Sequence, residues 1–160
     1  MEQRLVVRLM GYWERIRKDK PMPDFNKNNP ESISDLWQQC FVLSVVLGSE
    51  HVYKYEFVGD NLVGMYGREA VGKVFSLRDR EFPNNVLATG LKEMFADGAA
   101  PTPKEKDGQT VGKAGKIIKY RLILLPFGKE GKVTHIVCGV SSPPHEKLSY
   151  QRRLVSMLCK

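Results

Sequence analysis

The chain has 160 residues, of which 42% are hydrophobic and 27% charged, and it carries a formal net charge of +7. This length supports one well-buried core and is too short for two ordinary domains. The longest uncharged run, residues 36–49, is shorter than the roughly 20 apolar residues that cross a bilayer, so no membrane-spanning helix is predicted. Three scattered cysteines argue against a disulfide framework and a zinc site, and favour a reducing, cytoplasmic location.

The first predicted element is an amphipathic helix over residues 3–18, with an apolar face opposite a basic face. The apolar stripe is wide and ends in large aromatic residues, so it must be buried. Two alternatives are open, namely the sheet of the same chain and a second copy of the chain. The second alternative makes this stripe the candidate dimer interface: Leu5, Leu9, Tyr12, Trp13 and Ile16.

Residues 20–30 form a connector, because three prolines and three asparagines in eleven residues do not continue a helix. A short helical turn is expected near residues 32–37, with Ser32 as its cap. We therefore predict three segments: the helix and connector (residues 1–30), a folded domain (31–145) and a C-terminal tail (146–160), for which a helix over residues 146–159 is one interpretation.

Two strands are predicted at residues 38–47 and 52–58, joined as a hairpin. In the second strand aromatic and charged residues alternate, which places Tyr53, Tyr55 and Phe57 on one buried face. A short helix over residues 62–66 follows, and Gly67 is expected to end it in the left-handed conformation.

A longer helix is predicted over residues 82–97, followed by a polar stretch with room for one irregular strand (99–115). Two long strands then follow at residues 117–127 and 132–142, joined by a turn at 128–131 that is bounded by glycines. Strands at both ends with helices between them indicate an α+β fold with an antiparallel sheet. Both faces of the sheet are partly apolar, and the N-terminal helix is the natural cover for the second face.

The middle of the chain resembles a PAS domain. The resemblance rests on the strand that runs into Phe57-Val-Gly, then Leu62, then Tyr66-Gly-Arg-Glu and Gly72-Lys. Residues 120–127 and 133–140 are similar to the two long closing strands of that fold. Tyr12-Trp-Glu, Pro21-Met-Pro and Pro30 also resemble a group of small stand-alone PAS-like proteins from alphaproteobacteria.

This resemblance implies a five-stranded antiparallel sheet with helices on one face, and a sensory or interaction role without catalysis. Separately, the aromatic face of the second strand either lines a ligand space between the sheet and the helices or simply fills the core. Flavin is disfavoured because the cysteine of the light-sensing motif is missing from residues 67–75, and haem because residues 82–97 contain no histidine. The candidate pocket residues are Phe41, Tyr53, Tyr55, Phe57, Tyr66, Leu122, Leu124 and Ile136.

No catalytic or metal-binding residue is assigned. The tail of about 18 residues does not hold an output module, so the expected partner is another protein, with a homodimer and a small ligand as further options. A redox pair of Cys40 and Cys138 is a third hypothesis, because the first and last strands of such a sheet are neighbours. The alternative function is binding of nucleic acid through residues 104–132, which carry eight basic and three acidic groups.

Overall fold

The computed structural model describes residues 2–27, 30–46, 51–63, 67, 69–78, 84–96, 100–111, 115 and 117–141. Three α-helices lie in these ranges: α1 (Glu2–Arg17), α2 (Ser34–Trp37) and α3 (Asn84–Met94). The six strands are β1 (Cys40–Val45), β2 (Val52–Val58), β3 (Val74–Ser76), β4 (Lys104–Val111), β5 (Ile117–Lys129) and β6 (Lys132–Ser141). Short 3-10 helices cover Phe25–Lys27, Pro30–Ile33 and Asp60–Leu62.

The strands form one antiparallel sheet in the order β3-β2-β1-β6-β5-β4. The first and last predicted strands, β1 and β6, pair in its centre, with Phe41 opposite Cys138. β5 and β6 form the longest hairpin, whose two-residue turn has positive φ at both Glu130 (53°) and Gly131 (77°), as a type I′ turn requires. The predicted α+β fold with an antiparallel sheet is therefore confirmed.

One face of the sheet is covered by α1, as the two-sided apolar pattern predicts. We call this layer the α1-side core. Gly139 of β6 makes room for the helix, since a Cβ atom there would lie 2.4 Å from Leu9 Cδ1. The layer is formed by Leu5, Val6, Leu9, Tyr12, Trp13, Met22, Ile33, Leu36, Cys40, Val42, Ile123, Leu125, Phe127 and Val137.

The other face is covered by α3 and by the chain between β2 and α3, and we call this layer the α3-side core. Here the glycine is in the helix: a Cβ atom on Gly90 would lie 2.5 Å from Leu124 Cδ1. The layer is formed by Phe41, Leu43, Tyr53, Tyr55, Leu62, Ala70, Phe75, Leu77, Leu87, Ala88, Leu91, Met94, Tyr120, Leu122, Leu124, Ile136, Cys138 and Val140.

The structure has six strands instead of the predicted five, and the additional strand is β3. Its three residues are too short to give a periodic signal, and it is held by pairing with β2, where Tyr53 lies opposite Phe75. The predicted cap is also absent: residue 33 precedes α2 and no side chain caps the helix. Gly67 has φ of +86°, as expected.

Two sequence predictions fall on residues that the structure does not describe. These are the C-terminal tail (146–160) with its possible helix, and the last residues of the short helix that was expected over residues 62–66. Within the described part of the chain, no helix is both long and apolar enough to span a membrane.

Candidate functional site

The candidate site is the aromatic interior of the α3-side core, between the sheet and α3. Tyr53 and Tyr55 of β2 point into it together, because residues two apart in a strand share a face. The Tyr55 ring lies 5.9 Å from Phe41 and 5.4 Å from Phe75, measured between ring centroids. The Tyr53 ring lies 5.8 Å from Phe75. These four rings form a continuous wall at distances typical of favourable aromatic pairs.

Three aliphatic residues that were predicted for the pocket complete this wall. Leu122 and Leu124 lie on β5 and Ile136 on β6, and all three are fully buried. Phe41, which was also predicted, is fully buried beside them. The structure thus brings six of the eight candidate residues together in one layer: Phe41, Tyr53, Tyr55, Leu122, Leu124 and Ile136.

Phe57 was predicted to share the face of Tyr53 and Tyr55, and this placement is wrong. A β-bulge shifts the register, so that Val42 lies opposite Phe57 whereas the next residue, Leu43, lies opposite Tyr55. The bulge turns Phe57 to the α1 side, where its ring stacks on Trp37 at 5.0 Å. The eighth candidate, Tyr66, lies outside the described residues.

Tyr120 adds a phenol group to the same interior. Its ring lies over Gly108 on the neighbouring strand, where a Cβ atom would come within 2.4 Å of the ring. Burial raises the pKa of Tyr120 to about 12, because the phenolate form is poorly solvated there. The phenol therefore stays protonated at every physiological pH. The interior is an apolar layer that contains three tyrosine side chains, and small organic ligands are typically bound by apolar surfaces with a few polar groups of this kind.

The candidate dimer residues lie against the sheet of their own chain. Leu9 and Tyr12 are fully buried, and Leu5 and Trp13 retain 4% and 3% of their exposure. Ile16 is partly buried against the same layer. The Trp13 Nε1–H donates a hydrogen bond to the Pro126 carbonyl oxygen at 2.7 Å, which ties α1 to β5. In the structure, the apolar stripe of α1 therefore packs against the sheet of its own chain, which is the first of the two alternatives.

The family profile described as "PAS domain" matches residues 1–141. The chain belongs to the PAS domain family. The match includes α1 and the connector as well as the sheet. PAS domains are sensory or signalling modules, and this general role applies to the chain.

Solved PAS structures are similar to this PAS domain at low sequence identity. The PAS domain of BvgS from Bordetella pertussis is 13% identical, with 82% of this chain and 100% of that chain covered, at a TM-score of 0.39. The light-state LOV domain of the blue-light photoreceptor Aureochrome1 is 10% identical, with 83% and 100% covered, at 0.45. The PAS domain of an HTR-like protein from Haloarcula marismortui is 12% identical, with 71% and 93% covered, at 0.37. No curated protein matches the sequence.

Cys40 and Cys138 of this PAS domain lie on neighbouring strands of the sheet but on opposite faces. Cys40 pairs with Gly139 and belongs to the α1-side core, whereas Cys138 pairs with Phe41 and belongs to the α3-side core. Burial raises the pKa of Cys40 to about 12 and that of Cys138 well above its usual value. Side chains on opposite faces do not form a disulfide, so the redox-pair hypothesis is wrong for this structure.

The basic segment of residues 104–132 is partly neutralised by acidic neighbours. Lys106 Nζ lies 2.7 Å from Glu93 Oε2, and the Arg121 Nε donates to Asp107 Oδ1 at 2.8 Å. Lys129 Nζ lies 3.1 Å from a carboxylate oxygen of Asp24. These contacts do not favour the nucleic-acid alternative, because they use cations that phosphate groups would need.

Sequence reasoning missed a polar cluster on the α1 side of the sheet. The Ser44 hydroxyl donates to Glu56 Oε2 at 2.5 Å, and His135 lies beside Ser44 on β6. The bulge that moves Phe57 also determines where Glu56 lies, and it leaves no signal in the alternation of residues. In the described residues, no group of three His, Cys, Asp or Glu side chains is arranged to bind a metal.

Proposed function

We propose that this PAS domain is a non-catalytic sensor that holds a small organic ligand in the α3-side core and passes its state to a partner protein. The observation that carries the proposal is the wall of Phe41, Tyr53, Tyr55 and Phe75, with the protonated Tyr120 phenol in the same layer. Such a surface suits a flat, largely apolar molecule with one or two polar groups.

Signalling through a partner is proposed for two reasons. PAS domains are sensory modules, and β1 and β6 each contribute side chains to both the α3-side core and the α1-side core. Cys138 and Ile136 face the interior, whereas the intervening Val137 belongs to the α1-side core. A ligand that displaces one layer therefore acts on strands that also support the other layer. A partner bound to the α1 side would experience that change.

The first experiment is mass spectrometry of the purified 160-residue chain, native and then denatured, with an absorbance spectrum of the same sample. We expect a stoichiometric small molecule that is released on denaturation. A clean apo mass in every preparation would contradict the ligand part of the proposal. Cross-linking in cells followed by identification of the linked protein tests the partner part separately.

Matched tyrosine variants then test which side of the sheet holds the ligand. Tyr55→Phe removes only a hydroxyl from the α3-side core, and Tyr12→Phe removes only a hydroxyl from the α1-side core, where Tyr12 is equally buried. A neutral hydrogen bond contributes about 1 kcal/mol, so we expect Tyr55→Phe to weaken retention about fivefold. Tyr12→Phe should leave retention unchanged, and the reverse result would place the ligand on the other side.

A further inference from the structure

The connector after α1 is fastened across one end of the sheet. The Gly128 amide, at the β5–β6 hairpin, donates a hydrogen bond to the Pro23 carbonyl oxygen at 2.9 Å. Asp24 next to it is held by Lys129 and accepts a bond from the Asn26 amide at 3.0 Å. The hydrogen bond from the Asn26 amide lowers the pKa of Asp24 most, and the Lys129 ammonium group lowers it further. The Asp24 carboxylate therefore stays charged. These contacts hold the connector by its backbone and by charge.

A stacked pair of rings lies beneath this connector. The Phe25 ring lies on the His135 imidazole with ring centroids 3.8 Å apart and planes within 10° of each other. Phe25 also meets Phe127 edge to face at 5.8 Å. Phe25 therefore covers one face of the imidazole, and His135 is left half-buried.

The groups around the His135 imidazole are poorly suited to stabilise its doubly protonated, positively charged form. On its own strand, Thr134 Oγ1 lies 2.9 Å from the imidazole Nδ1. β5 contributes the apolar Phe127, and β1 contributes the Ser44 hydroxyl.

The charged groups that face the imidazole come from β2 and act in opposite directions. Glu56 is the facing carboxylate, and it is already bonded to the Ser44 hydroxyl. The cation Lys54 follows Ser44 in the same cross-strand row. The carboxylate is therefore shared, and the lysine repels a second positive charge.

We propose that Phe25 and His135 form a proton-sensitive clasp, in which protonation of the imidazole in mildly acidic solution releases the connector from the sheet. The proposal rests on neither the ligand nor the partner proposed above. The proposed signal is the proton concentration, and the contact that responds to it joins the connector after α1 to the sheet.

The direction of the effect follows from the opposing forces on the charged imidazole. Contact with the Phe25 face and attraction by Glu56 favour the imidazolium, whereas removal of water by the covering ring disfavours it. Burial is the larger effect and lowers the pKa of His135, with Glu56 acting against it. A histidine with a lowered pKa stabilises the clasped state above its ordinary value of about 6.5, and this contribution is lost as the pH falls through the lowered pKa.

The test is an NMR titration of the full chain from pH 8 to pH 5. The imidazole signal of His135 and the amide of Gly128, which reports the bond to the Pro23 carbonyl, are followed together. We expect one shared midpoint below about 6.5. Exchange of the Gly128 amide, corrected for its intrinsic pH dependence, should rise by up to about tenfold per unit by which the pKa is lowered. A Gly128 amide that does not respond while His135 titrates overturns the proposal.

Variants separate the clasp from general acid effects. His135→Gln keeps a polar side chain that does not titrate, and the Gly128 response should disappear. His51→Gln changes an exposed histidine in a turn and should keep the full response. The same response in His135→Gln as in the native chain overturns the proposal.

A further variant covers the case in which His135→Gln does not fold. Phe25→Leu keeps the titrating imidazole but removes the stacked ring, so the His135 midpoint should rise towards about 6.5 and the Gly128 response should shrink. An unchanged midpoint would show that Phe25 does not control the proton, and this also overturns the proposal.

Discussion

The two layers on either side of the sheet are attached in different ways. On the α1 side, the connector leads from α1 towards the sheet, and a buried hydrogen bond from Trp13 to the Pro126 carbonyl holds the helix against β5. On the α3 side, the helix is part of a chain that leaves and re-enters the sheet, and its polar contact to the sheet, Lys106 with Glu93, lies at the surface. α1 is thus held to the sheet by a directional contact inside the core, whereas the Lys106–Glu93 contact of α3 is exposed to solvent.

This difference suggests that ligand binding changes the packing of the α3-side core and that the α1-side core transmits this change. The α3-side core is lined by the rings of Phe41, Tyr53, Tyr55 and Phe75. The α1-side core includes the Trp13 bond, the close approach of Leu9 to Gly139 and the clasp of Phe25 on His135. A change in the first layer reaches the second through β1 and β6, which contribute residues to both.

The largest expected effect comes from removing a fully buried leucine in either layer. Leu9→Ala and Leu91→Ala each take a side chain with no exposure out of one core. Each should lower the free energy of unfolding by about 2–5 kcal/mol, as lost burial and a residual cavity add together. Urea unfolding followed by circular dichroism measures both. We expect Leu9→Ala to unfold in one transition like the native chain; a first transition confined to α1 would show that the layers unfold separately.

A smaller effect on the free energy of unfolding is expected from substitution of the two glycines at which the helices meet the sheet. Gly139→Ala forces a Cβ atom to 2.4 Å from Leu9, and Gly90→Ala forces one to 2.5 Å from Leu124. Overpacking costs about 1–3 kcal/mol, but alanine in a helix regains about 1 kcal/mol over glycine. Gly90→Ala should therefore be the milder of the two.

A double-mutant cycle confirms or refutes the steric origin of the Gly139 effect. Leu9→Ala removes the atom that the new Cβ meets, so Gly139→Ala should cost about 0.5–3 kcal/mol less in that background than in the native chain. Costs that simply add would show that the glycine is needed for another reason, such as the contact with Ile123, whose Cγ2 would lie 3.2 Å from the new Cβ atom.

The sequence was sufficient to predict α1, the antiparallel sheet and the two apolar faces, since each rests on a periodic pattern over ten or more residues. The placement of Phe57 failed because one bulge reverses the face of every later residue in the strand, and simple alternation gives no sign of it. β3 was missed because three residues carry no period. The close approach of α1 to the sheet at Gly139 is likewise visible only when the helix is in place.

The clasp was out of reach of sequence reasoning for a related reason. Phe25 and His135 are more than a hundred positions apart, and neither lies in a motif. Their contact depends on the direction in which the connector leaves α1, which the proline-rich sequence does not determine. Tyr120, in contrast, was within reach, because it lies two residues before Leu122 on the same predicted strand and therefore on the same face.

The smallest expected effect is kinetic, and it uses the two buried cysteines as matched probes of the two layers. In a Cys159→Ser background, Cys138→Ala leaves Cys40 to report opening of the α1-side core, and Cys40→Ala leaves Cys138 to report opening of the α3-side core. Both thiols should react with an aromatic disulfide reagent far more slowly than a free thiol, because each is buried and its raised pKa reduces the thiolate fraction.

Cys40 should nevertheless react faster than Cys138 in native conditions. Detachment of α1 leaves all strand pairs intact, whereas opening the α3-side core disturbs the chain that carries β3 and its pairing with β2, so the α1 side should open at a lower free energy. Lowering the pH from 7.5 to 5.5 should widen the difference, once the rates are corrected for thiolate fraction, because release of the clasp frees the connector behind α1. Equal rates with equal denaturant dependence would mean that both thiols are exposed only by global unfolding, and the two layers would then be one cooperative unit.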